Sequence, residues 1–294
     1  MNASVYDLVT ERIVEALERG VIPWRRPWSE SPEPVNAVSK RPYRGVNILL
    51  LGLSDFRDHR WLTYKQAKDL GGYVKRGERS SVVVFWKGSE IQDARQEEGE
   101  APRRSPPILR YYHVFNVEQC QDVGLSNECN VSSEQARIEQ AEELVRAMPC
   151  PPAIQERGDS AWYRPSDDLI QVPPLDAFTS ADSYYATLFH ELGHATGHVK
   201  RLNRFGVMRK PLYASAEYSR EELVAELTSA FCCASLGLDN SLAENSASYI
   251  NGWLAVLEDD HRNLVAAAGL AQRATNYIRG LTSPVAEALG SLFQ

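Results

Sequence analysis

The sequence predicts an α+β protein of two domains, and three observations lead to that prediction. Residues 1–128 carry 19 basic and 18 acidic side chains, whereas residues 129–294 carry 13 and 21, so most of the negative charge lies in the second part. The first part shows one leading helical pattern followed by strand-like segments, and the second is mostly helical. Residues 121–133 between them are polar and weakly patterned. We therefore expect a small α+β domain at 1–128 and a larger α+β domain at 134–294.

The composition is that of a globular protein. Of 294 residues, 43% are hydrophobic and 24% are charged, which excludes global disorder. No apolar run approaches the roughly 18 residues of a membrane helix, and residues 1–20 lack the hydrophobic core of a signal peptide. The five cysteines are odd in number, and Cys232 and Cys233 are adjacent, so no disulfide framework is expected. We expect a cytoplasmic protein without a membrane partner.

The first domain has one amphipathic helix and a long hairpin. Apolar residues recur at helical spacing from Val5 to Leu17, and Gly20 ends that pattern. Strand-like segments at Ser81–Trp86 and Leu109–Val117 enclose residues 88–107, which are charged and rich in proline. This arrangement predicts a small curved sheet with a flexible hairpin loop at 88–107.

Basic and aromatic side chains alternate along the first domain. Residues 19–87 hold 14 basic and 6 acidic side chains, a local excess that suits a polyanion. Basic groups can follow phosphates while exposed rings stack on unpaired bases. The candidate nucleic-acid-binding residues are Trp24, Arg25, Arg26, Lys40, Arg41, Tyr43, Arg44, Arg60, Trp61, Tyr64, Lys65, Lys75 and Arg76. Two alternatives remain, a core of rings beneath a solvated basic face and a protein-docking module.

The second domain is expected to open with a helix over Glu134–Met148, with Ser132 and Gln135 at the spacing of a capping box. Three short strands should follow before the chain becomes mostly helical. They are predicted at Ile154–Glu156, Ala161–Tyr163 and Asp168–Val172.

The strongest motif of the chain is His190-Glu191-Leu-Gly-His194 within a helical pattern. Two histidines four residues apart lie one turn apart on one helix face, so both imidazoles can reach one zinc ion. Glu191 is placed to take a proton from a metal-activated water. We predict a metal centre for peptide hydrolysis, with Zn²⁺ as the cofactor and Mn²⁺ or Co²⁺ as possible substitutes. A purely structural zinc is the alternative, although it needs no general base such as Glu191.

A third ligand is required, and His198 is a poor candidate. A straight helix carries His198 away from the metal, and Gly197 is expected to end that helix. The metzincin pattern would place a third histidine at position 200, where the chain has Lys200. The oxyanion could be stabilised by Tyr213, Tyr218 or His198, which the sequence does not rank.

The better candidates lie on a later helix, Tyr218–Phe231. Its segment Glu222-Leu-Val-Ala-Glu226 is similar to the Glu-x-x-Ala-Asp of gluzincin-type peptidases, where the first acid binds zinc and the second supports a histidine. Ser219 and Glu222 also have capping-box spacing, which would engage Glu222 at a helix start and make Glu226 the ligand. We favour Glu222 over Glu226, and we expect Glu221 to be solvated.

The motifs together resemble the plasmid antirestriction ArdC family over nearly the whole chain, apart from residues 88–107. The segments similar to its single-stranded-DNA-binding domain are Tyr6–Leu17, Ile22–Trp24, Pro42–Asn47, Trp61–Ala67 and Val74–Lys87. Those similar to its zincin-like metallopeptidase domain are His190–His198, Arg201–Asn203 and Glu221–Leu227.

The resemblance implies a protein of conjugative elements that binds unpaired DNA during transfer and shields it from a host restriction enzyme. Two other hypotheses stay open. One is a DNA-targeted metalloprotease that cleaves DNA-bound proteins, and the other is a DNA-binding protein with a catalytically silent metal site.

Overall fold

The protein is described by a computed structural model, which covers residues 4–25, 33–87, 108–125, 133–204, 215–241 and 247–281. Helices and strands occur in both halves, so the predicted α+β class is confirmed. The helices are α1 (Val5–Glu18), α2 (Val46–Gly52), α3 (Tyr64–Asp69), α4 (Glu134–Ala147), α5 (Ala181–Ala195), α6 (Ala216–Leu236), α7 (Ala247–Asp259) and α8 (Arg262–Ile278). None of them combines the length and apolar character needed to cross a lipid bilayer.

Nine short strands accompany these helices within the described ranges. They are β1 (Val35–Asn36), β2 (Arg60–Leu62), β3 (Tyr73–Val74), β4 (Ser81–Lys87), β5 (Ile108–Asn116), β6 (Cys120–Gln121), β7 (Ala153–Glu156), β8 (Trp162–Arg164) and β9 (Leu169–Val172). The predicted strands of both halves are present, with ends that differ by a residue or two.

The N-terminal half is built on a four-stranded sheet of order β1-β2-β5-β4. Strands β4 and β5 form the predicted antiparallel hairpin, with Val84 opposite Tyr111. Helix α1 precedes the sheet and begins with a capping box between Ser4 and Asp7. The loop predicted at 88–107 lies outside the described residues.

The C-terminal half places a small sheet, of order β7-β9-β8, against helix α5. On α5 packs helix α6, which also contacts α7 and α8. The central strand β9 is antiparallel to edge strand β8 and parallel to edge strand β7. Helix α4 is capped by Ser133, whose hydroxyl accepts a hydrogen bond from the amide of Ala136. The N-cap is therefore one residue later than predicted, and Ser132 lies outside the described residues.

The two halves share a hydrophobic core. Ile13 of α1 and Trp24 are fully buried in the same cluster as residues of α5, α6 and α8. The rings of Trp24 and Trp253 meet edge to face with centroids 5.4 Å apart, and Thr10 donates a hydrogen bond to the carbonyl of His261. Burial of these large side chains fixes the N-terminal segment on the C-terminal helices.

Candidate functional site

Helix α5 brings two imidazoles together, as the sequence predicts. It begins at Ser180, whose hydroxyl accepts a hydrogen bond from the amide of Ser183, and it continues through His190 and His194. The Nε2 atoms of the two histidines lie 3.2 Å apart. The helix ends at Ala195, two residues before Gly197, close to the predicted end.

Helix α6 supplies the carboxylate. Its N-cap is Ser215, so Ser219 lies a turn inside the helix and the capping box considered for Ser219 and Glu222 is not formed. Oε2 of Glu222 is 3.5 Å from Nε2 of His190, and Oε1 is 3.6 Å from Nε2 of His194. These three side chains each offer a ligand atom, all within 4.8 Å of one another.

The outer nitrogen of each imidazole faces a further carboxylate. Nδ1 of His190 lies 3.3 Å from Oε2 of Glu226, and Nδ1 of His194 lies 3.6 Å from Oε1 of Glu221. Such partners fix the tautomer and the ring orientation of metal-binding histidines. Glu226 is therefore placed to support His190, and the expectation of a solvated Glu221 is wrong because its side chain is only 11% exposed.

Each supporting carboxylate is in turn held by an arginine. Arg204 pairs with Glu221 at 2.5 Å and also donates to the carbonyl of Gly193 at 2.7 Å. Arg25 donates from Nε and from Nη2 to Oε1 of Glu226, both at 3.2 Å. The prediction that Arg25 contacts nucleic acid is therefore corrected, because its side chain points into this cluster and is only 12% exposed. The helical and Glu-rich pattern of residues 221–226 was the only sequence feature that pointed to these partners.

The charges of the cluster favour an ionised Glu222. Burial opposes ionisation, but the hydrogen bond with His190 and the neighbouring imidazoles lower the pKa of Glu222 to about 2. For His190, burial lowers the pKa, yet hydrogen bonds with Glu222 and Glu226 raise it well above 6.5 overall. The carboxylates around His190 therefore favour a positive charge at this position, which a bound cation would also provide.

Glu191 has the environment of a general base. It is buried, and burial raises its pKa above 4.5 although the two histidines oppose that shift. The backbone amide of Tyr163 on edge strand β8 hydrogen-bonds its carboxylate. A carboxylate with a raised pKa transfers protons more effectively near neutral pH.

The donor set fits a divalent metal ion. Two imidazole nitrogens and one carboxylate oxygen form the ligand set of a hydrolytic metal site, in which a further position is left for water. Of the three oxyanion candidates, Tyr218 hydrogen-bonds with Glu222. Nδ1 of His198 instead accepts a hydrogen bond from the amide of Lys200. Tyr213 lies outside the described residues.

Several predicted nucleic-acid-binding residues are buried, so their prediction as base- or phosphate-contacting groups is corrected. Trp24 and Trp61 are 0% and 3% exposed, and Tyr43 is also in the core. Arg60 is 1% exposed and pairs with Asp58 at 2.6 Å. These rings pack inside the fold because burial of a large aromatic surface is favourable, which the interleaved pattern did not reveal.

The other described candidates remain at the surface. The exposed set comprises Lys40, Arg41, Arg44, Tyr64, Lys65, Lys75 and Arg76, while Arg26 lies outside the described residues. Three of them have side-chain partners among the described residues. Lys65 pairs with Asp69 at 2.6 Å, and Nζ of Lys75 donates to the carbonyl of Glu118. Nη1 of Arg44 donates to Oδ1 of Asn276 at 3.4 Å.

The hairpin β4–β5 carries exposed rings that were absent from the candidate set. Phe85 and Tyr112 are exposed and meet edge to face with centroids 5.5 Å apart. Arg110 is exposed, and it lies directly opposite Phe85 in the strand register. Tyr111 and Trp86 are exposed nearby. Two aromatic residues in succession at the end of an apolar strand were the sequence feature that could have indicated them.

The chain is similar to known proteins over nearly its whole length. Residues 3–115 match the N-terminal domain of the anti-restriction factor ArdC, and residues 139–270 match a zincin-like metallopeptidase domain. The metal-free crystal structure of the antirestriction ArdC protein from plasmid R388 is 33% identical with a TM-score of 0.72, covering 94% of this chain and 97% of that one. The chain belongs to the ArdC antirestriction family.

Three further matches are similar to this chain over most of its length. The Mn(II)-bound crystal structure of the R388 ArdC protein is 34% identical with a TM-score of 0.74, covering 96% of this chain and 99% of that one. The uncharacterized protein y4eC of Sinorhizobium fredii is 37% identical over 95% of this chain and 92% of its own length. DNA primase TraC of Escherichia coli is 33% identical over 93% of this chain, which corresponds to 20% of TraC.

Proposed function

We propose that this ArdC-family protein protects incoming DNA from restriction by binding single strands, and that it carries a zinc-dependent peptidase centre. The observation that carries the proposal is the convergence of His190, His194 and Glu222 with Glu191 beside them. Family membership supplies the antirestriction context, and the R388 relative was crystallised with Mn(II).

Zn²⁺ is the metal that this ligand set favours. Imidazole nitrogens suit zinc, and a site of two histidines and one glutamate is a known catalytic zinc arrangement. Mn²⁺ is the alternative with support from a relative, because the Mn(II)-bound R388 structure is so similar. The metal itself would supply Lewis acidity, which activates water and polarises a peptide carbonyl.

The side chains of this protein would divide the remaining work. His190, His194 and Glu222 would hold the ion, and Glu191 would take a proton from the attacking water and pass it to the leaving amine. Glu221 and Glu226 would keep the two imidazoles oriented through their Nδ1 atoms. Tyr218, which hydrogen-bonds with Glu222, would contact the oxyanion.

The N-terminal half offers a surface for unpaired DNA. Phe85 and Tyr112 present an exposed ring pair with Arg110 on the same face of the hairpin. Rings can stack on bases at about 1–3 kcal/mol each while basic groups neutralise phosphates. The exposed residues Lys40, Arg41 and Arg76 would add further positive charge.

A second candidate function is a metalloprotease directed to DNA-bound proteins, such as a host restriction enzyme. The observation that favours it is the buried Glu191 with its raised pKa, since a silent or structural metal site gains nothing from a general base. In this case the DNA-binding half would deliver the peptidase centre to its substrate.

Replacing Glu191→Gln separates the two functions. The test is conjugative transfer of unmodified DNA into a restricting host, with zinc content of the purified variant as the control. We expect the variant to keep zinc and to protect DNA, because the proposal assigns protection to strand binding. Loss of protection with zinc retained would favour proteolysis, and absence of single-strand binding in the wild type would refute the main proposal.

A further inference from the structure

The metal centre is completed by a residue from outside the peptidase region. Arg25 lies within residues 3–115, which match the N-terminal ArdC domain, whereas Glu226 lies within residues 139–270, which match the metallopeptidase domain. Nε and Nη2 of Arg25 both donate to Oε1 of Glu226 at 3.2 Å. Oε2 of the same carboxylate lies 3.3 Å from Nδ1 of His190.

The backbone at Trp24 and Arg25 is fixed by a buried side chain and by hydrogen bonds. The preceding Trp24 is fully buried against Trp253, and its carbonyl accepts a hydrogen bond from Nδ2 of Asn240 at 3.0 Å. The amide of Arg25 donates to the carbonyl of Ile22 at 3.0 Å. The guanidinium therefore reaches Glu226 from a position that the shared core defines.

The carboxylate and arginine that support His194 come from one region of the chain, whereas those that support His190 come from two. His194 is supported by Glu221 and Arg204, all of which come from the peptidase region. The equivalent support for His190 depends on Glu226 and on Arg25 of the other region. The contact with Arg25 engages Oε1 and leaves Oε2 directed at the imidazole.

We infer that Arg25 is a positioning residue of the metal centre, which holds Glu226 as the hydrogen-bond acceptor of His190 and keeps that carboxylate away from the ion. The inference rests on the proposed metal site. It follows that the N-terminal segment and the metal are thermodynamically linked, because whatever displaces Arg25 also weakens the support of a ligand.

The experiment is a competitive Zn²⁺ titration against a chelator with the full-length chain. Arg25→Ala should weaken zinc affinity by about 10-fold, the lower end of the effect seen for partners of metal ligands. The direction of the change in zinc affinity is informative, because loss of a positive charge alone would tighten the binding of a cation. A weaker affinity therefore reports lost orientation, and an unchanged or tighter affinity would overturn the inference.

A double-mutant cycle tests whether Arg25 acts through Glu226. Once Glu226→Ala has removed the carboxylate, the further change Arg25→Ala should cause no additional loss of zinc affinity. An equal loss in both backgrounds would overturn the inference. Arg19→Ala, an exposed arginine of the same region, serves as the matched control and should bind zinc like the wild type.

Two further variants distinguish failure of the inference about Arg25 from failure of the proposed metal site. If Arg25→Ala does not fold, Arg25→Lys keeps the charge but loses the double donation, so its zinc affinity should fall by a few-fold, and wild-type affinity would overturn the inference. One equivalent of zinc in the wild type and none in His190→Ala establish the metal site whatever Arg25 does. Absence of zinc from the wild type would refute the proposed function itself.

Discussion

Gly193 on helix α5 lies against the backbone of Ala225 on helix α6, and a Cβ at position 193 would come within 3.0 Å of the Ala225 Cα. It would also lie 3.2 Å from Cβ of Thr228. This close approach brings the helix of the two histidines near the helix of Glu222. The glycine between His190 and His194 is therefore required by the packing of the two helices.

The first prediction is that Gly193→Ala separates the two helices. We expect a loss of about 1–3 kcal/mol in the free energy of unfolding from overpacking, together with weaker zinc binding. Gly269→Ala is the matched control, because no atom lies within 4 Å of a Cβ at that exposed helical position. It should be neutral or stabilising by up to about 1 kcal/mol. Equal stability of the two variants in thermal unfolding would contradict the packing argument.

The second prediction distinguishes the two glutamates of α6. Glu222→Ala removes a direct ligand and should weaken zinc affinity by more than about 100-fold, whereas Glu226→Ala removes a support of His190 and should cost about 10- to 100-fold. Competitive zinc titration of both purified variants makes the comparison. A larger loss in Glu226→Ala would make Glu226 the ligand and reverse the assignment.

The third prediction concerns Glu191 as general base. Glu191→Gln preserves the size of the side chain and leaves the three ligands in place, so we expect one bound zinc per chain. Cleavage of an unstructured protein substrate should slow by about 10²- to 10⁴-fold, the usual contribution of a general base. Unchanged cleavage by the variant would exclude Glu191 from the chemistry.

The fourth prediction is a pH dependence of the metal-free protein. Because the folded-state pKa of Glu222 is about 2, below the ordinary value of 4.5, its ionisation stabilises the fold above that ordinary value and the stabilisation is lost as the pH falls towards 2. The pKa of His190 is raised above 6.5, so this imidazole stays protonated throughout the window.

Unfolding of the metal-free wild type and of Glu222→Gln at several pH values provides the measurement. The difference between their free energies of unfolding should shrink as the pH falls from roughly 5 towards 2. A difference that is constant across this range would show that folding does not lower the pKa of Glu222.

The fifth prediction separates core rings from surface rings. Trp24→Ala should cost about 3–5 kcal/mol in stability, because Trp24 is fully buried. Tyr112→Ala should leave stability nearly unchanged and weaken binding of a single-stranded oligonucleotide, by about 1–3 kcal/mol if the ring stacks on a base. Fluorescence anisotropy and thermal unfolding of both variants test the distinction. Single-strand affinity that is unaffected by Tyr112→Ala would remove the hairpin from the proposed DNA surface.

The local patterns of the sequence were sufficient to predict most helices and strands and the helix that carries the candidate metal ligands His190 and His194. The 3.6-residue period predicted α1 and α5, capping-box spacing predicted α4, and two strand-like segments predicted the β4–β5 hairpin. The placement of His190, Glu191 and His194 follows from helix geometry alone, because four residues make about one turn. Each of these features depends on residues that are near one another in the chain.

Only the tertiary structure decided which glutamate joins the two histidines and which aromatic and basic side chains are buried. Both depend on which distant segments of the chain meet. The choice of Glu222 as the candidate ligand followed from the true start of α6 at Ser215 and from its packing on α5. Tertiary packing also placed Trp24 in the core shared with the C-terminal helices and Trp61 in a separate core of the N-terminal half. It turned Arg25 towards Glu226, 201 positions away. An aromatic or a basic residue has the same local pattern whether it is buried or exposed, so its environment is known only when the fold is known.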